Sequence, residues 1–329
     1  VLTSRGLGDV YKRQALNLKS EASELFSFET ESDLIEILEY AKKQEKNLQV
    51  IGSGTNTIFP RYFSKIVVKS SNNNFQYVEE DGYGYLEVGA AVNWDDLIDF
   101  CCNKDIYGLE NLAGIPGTVG AAPIQNIGAY GQEVSNLINY VECFDTELAI
   151  TRKIKAENCE FGYRRSMFQT CTNLIVTAVG FKLSKHFNPV LKHEGLQNLN
   201  FTKASDMIKK IREIRNTKLP NPIDFPNIGS FFKNPILSTE EAQKNEKLAN
   251  LKRFEMPNQK VKFSAGEMLD KLNLKGMKIR NVGLWTKHAL VLTSNGITSA
   301  KDIRNAEDML KKLVADYYGI QLEREPSYL

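Results

Sequence analysis

Residues 108–131, GLENLAGIPGTVGAAPIQNIGAYG, constrain this chain more than any other stretch. Glycines at 108, 114, 117, 120, 128 and 131, with prolines at 116 and 123, rule out a long helix or central strand here. The stretch is nevertheless too apolar for a disordered linker. An ordered loop with short helical turns satisfies both facts. Small residues in such number let the backbone approach a flat ligand, and Thr118, Gln125 and Asn126 offer polar handles. Turn formation explains one or two of the glycines, not the run. A second glycine loop, Gly52-Ser53-Gly54-Thr55-Asn56, follows a strand predicted over 48–51. Backbone N–H groups in such a turn can converge on an anion. The third glycine of G-x-G-x-x-G is missing and no G-x-x-x-x-G-K-[ST] occurs. On its own, this loop reads equally as a tight turn or a pyrophosphate site.

Strands and helices mix around these loops. Thr30-Glu31-Ser32-Asp33 has the form of a capping box, and Leu34, Ile35, Ile37, Leu38 and Ala41 follow at helical spacing. Strands are predicted at 65–69, 75–79, 83–88, 140–144 and 174–183, with Asp81-Gly82 closing a hairpin between the second and third. Helices are predicted at 94–102, packed by Trp94, Leu97, Ile98 and Cys101, and at 205–215, 264–272 and 299–318, the last capped by Gly319. Lys218-Leu219-Pro220-Asn221-Pro222 marks a domain boundary, because proline cannot continue a helix. This order predicts an α+β protein with domains over 15–217 and 218–329.

The chain has 329 residues and a formal net charge of +2, from 42 basic and 40 acidic residues. No bulk field draws it to nucleic acid or an anionic membrane, so an anionic substrate has to be gripped by a few placed arginines and lysines. The length allows a core that needs neither disulfide nor metal. Cys101, Cys102, Cys143, Cys159 and Cys171 form no C-x-x-C pair and have no histidine at zinc spacing. They read as reduced thiols of a cytosolic protein without a metal site. No run approaches the roughly 18 apolar residues of a membrane span. Residues 1–14, VLTSRGLGDVYKRQ, lack the apolar centre of a signal peptide and look like a translated sequencing adapter, so a native start near Ala15 is expected.

Taken in order, G-S-G-T-N (52–56), the 108–131 block, FGYRRS (161–166), RNTKLPNP (215–222), GSFFKNP (229–235) and LERE (322–325) resemble the UDP-N-acetylenolpyruvoylglucosamine reductase (MurB) family. The resemblance runs from about residue 17 to the end. The 108–131 and 229–235 blocks are its specific parts, whereas G-S-G-T-N is shared with other flavoproteins. The resemblance implies an FAD-binding domain of the PCMH/vanillyl-alcohol-oxidase type, with two α+β subdomains, followed by a smaller α+β substrate-binding domain. It implies a cytoplasmic, monomeric bacterial enzyme of peptidoglycan precursor synthesis. Non-covalent FAD, NADPH as hydride donor and a UDP-sugar substrate come with it. Gly52, Ser53, Gly54, Thr55 and Asn56 would cradle the pyrophosphate. Ile115, Pro116, Gly117, Thr118, Ala121 and Ala122, then Ile124, Gln125, Asn126, Gly128, Tyr130 and Gly131, would wrap the ribityl chain and isoalloxazine edge. Arg215 would join them as a cofactor contact.

Reducing an enol ether needs a hydride at one carbon and a proton at its neighbour, while negative charge builds on the substrate carboxylate. Arg164 matches the family motif and suits the carboxylate, because a guanidinium grips it with two hydrogen bonds; Arg165 is expected to be the solvated one. Ser230 matches the family's proton donor, although a serine after glycine commonly bonds its own backbone and is a poor acid without supporting neighbours. Glu325 matches the family's C-terminal glutamate, with Glu323 its near double. Tyr163, Lys218, Lys233 and Asn234 are the substrate-side candidates, and His193 stands near the family's mobile-loop tyrosine. His186 and His288 read as ordinary histidines. Where the family continues Val-Arg after the glutamate, this chain has Pro326-Ser327-Tyr328-Leu329, so a substrate-binding arginine is expected to be missing. The family's Asn-Thr-Phe opening is replaced by the leader. An oxidase of the same FAD fold acting on sugar alcohols or lactones, and an inactive flavin or nucleotide-sugar binder, remain alternatives.

Overall fold

A computed structural model describes residues 15–329 except Lys19 and Gly296, and the expected leader lies outside the described residues. The described chain divides into two compact units, one built from Ala22–Ser53 and Ser64–Arg215. The other gathers residues up to Glu21, the excursion Gly54–Phe63, and Asn216–Leu329. The chain therefore leaves the first unit inside the G-S-G-T-N loop.

In the first unit, α1 (Glu31–Lys43) begins at the expected capping box, with Thr30 Oγ1 accepting from Asp33 N. Its Leu34, Ile37 and Ala41 pack against Phe26, Phe28, Ile66 and Val68 of a three-stranded sheet. That sheet runs in the order Glu21–Phe28, Tyr62–Ser70, Leu48–Val50. A five-stranded sheet carries the larger core, in the order Ile150–Lys155, Ile138–Asp145, Leu174–Ser184, Tyr83–Gly89, Phe75–Glu80. All four of its pairings are antiparallel. The hairpin at its edge closes through Asp81 (φ 50°) and Gly82 (φ 78°), the two left-handed residues of a tight two-residue turn.

Helix α2 (Trp94–Asn103) starts where Asn93 Oδ1 accepts from Asp95 N, and it buries Trp94, Leu97, Ile98 and Cys101. Trp94 Nε1 donates to Leu112 O at 3.0 Å, tying the helix to the glycine-rich segment. That segment is ordered as expected. It holds 3-10 turns at Glu110–Leu112 and Val119–Ala121 and a small hairpin of Gly128–Ala129 with Gln132–Glu133. Helix α3 (Ala204–Lys218) runs three residues past its predicted end. Pro220 restricts the backbone of Leu219 before it, not that of Lys218, so the helix can use the extra turn.

The second unit contains α4 (Thr239–Lys244), α5 (Ala265–Lys271) and α6 (Ala300–Tyr318). Ser264 and Ser299 cap the last two, and Gly319 closes α6 at φ 70°. One sheet orders Asn227–Ser230, Val291–Ser294, Val282–Leu284 and Lys278–Ile279. A second orders Ile236–Ser238, Lys260–Phe263 and Arg253–Met256. Helix α6 covers the core with Ile303, Ala306, Leu310 and Val314, all fully buried. Each large aliphatic there contributes about 2 kcal/mol of burial. Ser327–Tyr328 pairs in parallel with Thr57–Ile58, just after the first glycine loop. Among the described residues no helix is long and apolar enough to cross a membrane, and no cluster of His, Cys, Asp or Glu could hold a metal ion.

Candidate active site

Within the first unit, the start of the first glycine loop abuts the second. A Cβ on Gly52 would lie 3.1 Å from Thr118 Oγ1 and 3.2 Å from the Ala121 methyl. A Cβ on Gly120 would lie 2.5 Å from Ala90 Cβ, so glycine is what lets that turn sit on the strand end. Among the described residues the amides of Gly52, Ser53, Gly117 and Thr118 have no hydrogen-bond partner. Four open N–H groups on two touching turns suit an anionic, extended ligand.

Arg215 reaches the same segment, with Nε donating to Gly114 O at 3.0 Å. Burial works against its charge and pulls its pKa down, while Tyr130 and Asp95 partly oppose that. Asp95 is already committed, accepting from Gly114 N at 2.7 Å and from Arg212 Nε at 3.0 Å. A half-covered guanidinium without a carboxylate hydrogen bond of its own fits a phosphate neighbour. Glycine turns, open amides and this arginine together fit FAD.

The remaining loop residues are held by a polar frame. Asn126 is fully buried; its Nδ2 donates to Glu133 Oε2 and to Gly162 O, both at 3.0 Å, and its Oδ1 accepts from Ser135 N. Its side chain is therefore a strut within the loop, not the outward handle the sequence suggested. Asn111, unassigned from sequence, does the same work for Tyr130 O and Val190 O. Glu110 accepts from Gly108 N at 2.9 Å in a buried position that raises its pKa. Ser166 Oγ donates to Ile124 O. Apart from the Glu110–Gly108 bond, these roles depend on neighbours 7 to 79 residues away, so the buried polar side chains carry no local signature.

Arg164 sits in a turn where Gly162 and Arg165 exchange backbone hydrogen bonds. Its φ of 53° is a left-handed conformation costly for a residue with a Cβ. Nη2 donates to Gly128 O at 2.8 Å, placing the guanidinium against the glycine segment, and the Tyr163 ring lies 5.4 Å from it. Arg165 is solvated, as expected, with only an exposed contact to Glu160. His193 meets Tyr130 edge to face at 5.0 Å. In the first unit, then, Gly52, Arg215, Arg164 and His193 all lie against one glycine-rich segment, which includes Tyr130.

In the second unit, Ser230 ends its strand opposite Val291, after Gly229 at φ 71°. It does not bond its own backbone: among the described residues its hydroxyl has no hydrogen-bond partner. The chain beyond it is zipped to the C-terminal segment, with Glu325 N donating to Phe231 O at 2.9 Å and Lys233 N to Glu323 O at 2.8 Å. Glu323 turns to an exposed contact with Lys233 at 3.4 Å, which separates it from Glu325. Asn234 Oδ1 accepts from Ala265 N at the start of α5. Thr55 and Asn56 belong to this unit, where Asn56 O accepts from Ser327 N. Lys218 is exposed, and its charge, after burial, lowers the pKa of His288. His288 is thus a half-buried group within the field of a candidate substrate lysine, more than the sequence suggested.

A family model described as an FAD binding domain matches residues 23–147. With the α+β architecture and the glycine cradle, it defines the molecule as a flavoprotein oxidoreductase. A second family model, described as UDP-N-acetylenolpyruvoylglucosamine reductase, C-terminal domain, matches residues 221–329. A UDP-N-acetylenolpyruvoylglucosamine reductase of a Shewanella species (strain MR-4) is 38% identical over 289 residues, covering 86% of this chain and 85% of the relative. Another, from Vibrio cholerae, is 36% identical over 284 residues, covering 85% and 82%. The solved UDP-N-acetylenolpyruvylglucosamine reductase of Thermus caldophilus shares the fold, with a TM-score of 0.67 at 22% identity over 100% of this chain and 98% of that one. The chain belongs to the UDP-N-acetylenolpyruvoylglucosamine reductase family.

Proposed function

We propose that this chain reduces UDP-N-acetylenolpyruvoylglucosamine to UDP-N-acetylmuramate with NADPH, in the cytoplasm, as a step in making peptidoglycan precursors. Bound FAD would supply the two-electron chemistry between NADPH and the enolpyruvyl group. The two glycine loops and Arg215 hold the cofactor. Ser230 Oγ delivers the proton to the adjacent carbon. Arg164 grips the substrate carboxylate as charge grows on it, and Glu325 polarises the enolpyruvyl group. Lys218, Lys233, Asn234, Tyr163 and His193 receive the nucleotide and sugar. Division of the chain into a cofactor domain to about residue 217 and a substrate domain beyond it, acting as a monomer, belongs to the same reading.

The observation that carries it is the Ser230 hydroxyl: among the described residues no group claims it, and its strand end is hydrogen-bonded directly to the Glu325 segment. A serine kept for structure would have used its own turn. Separate anaerobic half-reactions test the role. Ser230→Ala is expected to accept electrons from NADPH at a near-normal rate and to pass them to the enolpyruvyl substrate about a hundredfold or more slowly. Equal loss in both halves would remove Ser230 as the proton donor. NADPH consumption that ignores the enolpyruvyl sugar nucleotide would remove the whole reading.

A further inference from the structure

Arg324 precedes Glu325, and the group that holds it takes no part in the chemistry proposed above. Phe232 and Arg324 oppose each other across the two backbone bonds that join this segment to the Ser230 strand end. From there the Arg324 side chain runs to α6, where Nη1 lies 3.3 Å from Glu307 Oε1. Glu307 is only 2% exposed, on the helix face that also buries Ile303, Ala306 and Leu310. Lys311 Nζ meets the same oxygen at 2.5 Å. The Tyr328 ring covers the Arg324 guanidinium at 4.6 Å and that of Arg304 at 4.9 Å.

A carboxylate buried this deeply is a poor source of stability, since an apolar side chain would fill the same space without the desolvation cost. What it supplies is selectivity of register. Slipping the terminal segment by one residue would bring Glu323 or Glu325 against Glu307, anion on anion. Arg324 at that position instead adds a second cation to the one Lys311 already sets against the buried charge.

We infer that Glu307 is a positioning residue: through Arg324 it fixes the register of the C-terminal segment and so the place of the Glu325 carboxylate beside the Ser230 strand. This rests on the role proposed for Glu325, and the experiment separates the two. Both half-reactions are followed anaerobically on the full-length, flavin-loaded chain. Glu307→Gln and Arg324→Gln are each expected to keep flavin reduction by NADPH within about twofold while slowing flavin oxidation by the enolpyruvyl substrate about tenfold or more. Arg324→Lys, which keeps a cation for Glu307, should recover oxidation to within about threefold of the parent. Arg324→Gln leaves the buried face of α6 intact, so it decides the matter even where Glu307→Gln fails to fold. Equal slowing of both halves, or no recovery with lysine, reduces the pair to a general structural contact and overturns the inference. Glu325→Gln is the reference. If it is slow in oxidation while Glu307→Gln and Arg324→Gln match the parent, the positioning role alone falls. If Glu325→Gln itself oxidises at the parent rate, the reading of Glu325 falls and the inference goes with it.

Discussion

Adding one methyl group at Gly120 is enough to challenge the cofactor loop. The new Cβ would meet Ala90 Cβ at 2.5 Å and Ala90 Cα at 3.0 Å, and backbone cannot yield as a flexible side chain would. Gly120→Ala is expected to cost about 1–3 kcal/mol of folding stability. It should also lower the flavin-to-protein absorbance ratio of the purified chain; full flavin retention would show that this close approach is dispensable. At Arg164 the geometry of the cation matters as much as its charge. Nη2 donates to Gly128 O, and a lysine could not keep that bond and also grip a carboxylate at two points. Arg164→Lys is expected to lose about a hundredfold in substrate-dependent flavin oxidation, read by stopped flow, and parent turnover would refute the assignment. The sequence singled out the glycines, Arg164, Ser230 and Glu325 because each lies in a motif of the family it resembles. It misjudged Asn126, whose direction is set by Glu133, Ser135 and Gly162, and passed over Asn111 and Glu307, whose partners are up to 79 residues away.

Helices were the most readable elements, since capping residues and 3.6-residue periodicity are written locally. The Thr30 box and the Gly319 cap formed where the sequence put them, and Ser299 caps the helix that was expected to begin at it. Short strands such as Thr57–Ile58, Lys278–Ile279 and Ser327–Tyr328 were not readable, because two residues carry no alternation and pair only through tertiary neighbours. The α6 cap makes a testable unit. Ser299→Ala removes the acceptor for Asp302 N and is expected to cost about 1 kcal/mol in urea unfolding. Asp302 is held below its ordinary pKa first by the Ser299 backbone N–H, then by the Ser299 hydroxyl. A depressed folded-state value means this contribution is intact above the unfolded value of 3.8 and is lost as pH falls through the lower folded one. Asp302→Asn should therefore flatten the acid side of the stability profile; an unchanged acid limb would discount the cap.

For the molecule as a whole, the cofactor is expected to act as a folding ligand. At a hundredfold excess over its dissociation constant a ligand bound only by the native state adds about 2.7 kcal/mol. Stripping FAD should lower the melting temperature, and Gly120→Ala should shrink that difference; equal melting of both forms would place the flavin outside the folded cradle. Composition and helix–strand order made the α+β class readable. They did not reveal that Gly54–Phe63 joins the second unit, because nothing in those ten residues names a partner so far along the chain.

That discontinuity governs how the protein can be born. Thr57–Ile58 waits for Ser327–Tyr328, made about 270 residues later. At ribosomal speeds of about 5–20 residues per second, the interval lasts tens of seconds. Throughout it the nascent G-S-G-T-N loop has one flank anchored and the other without its eventual neighbour. The second unit can therefore close only once Ser327–Tyr328 has been made, and capture of flavin by a finished cradle is expected to follow that step.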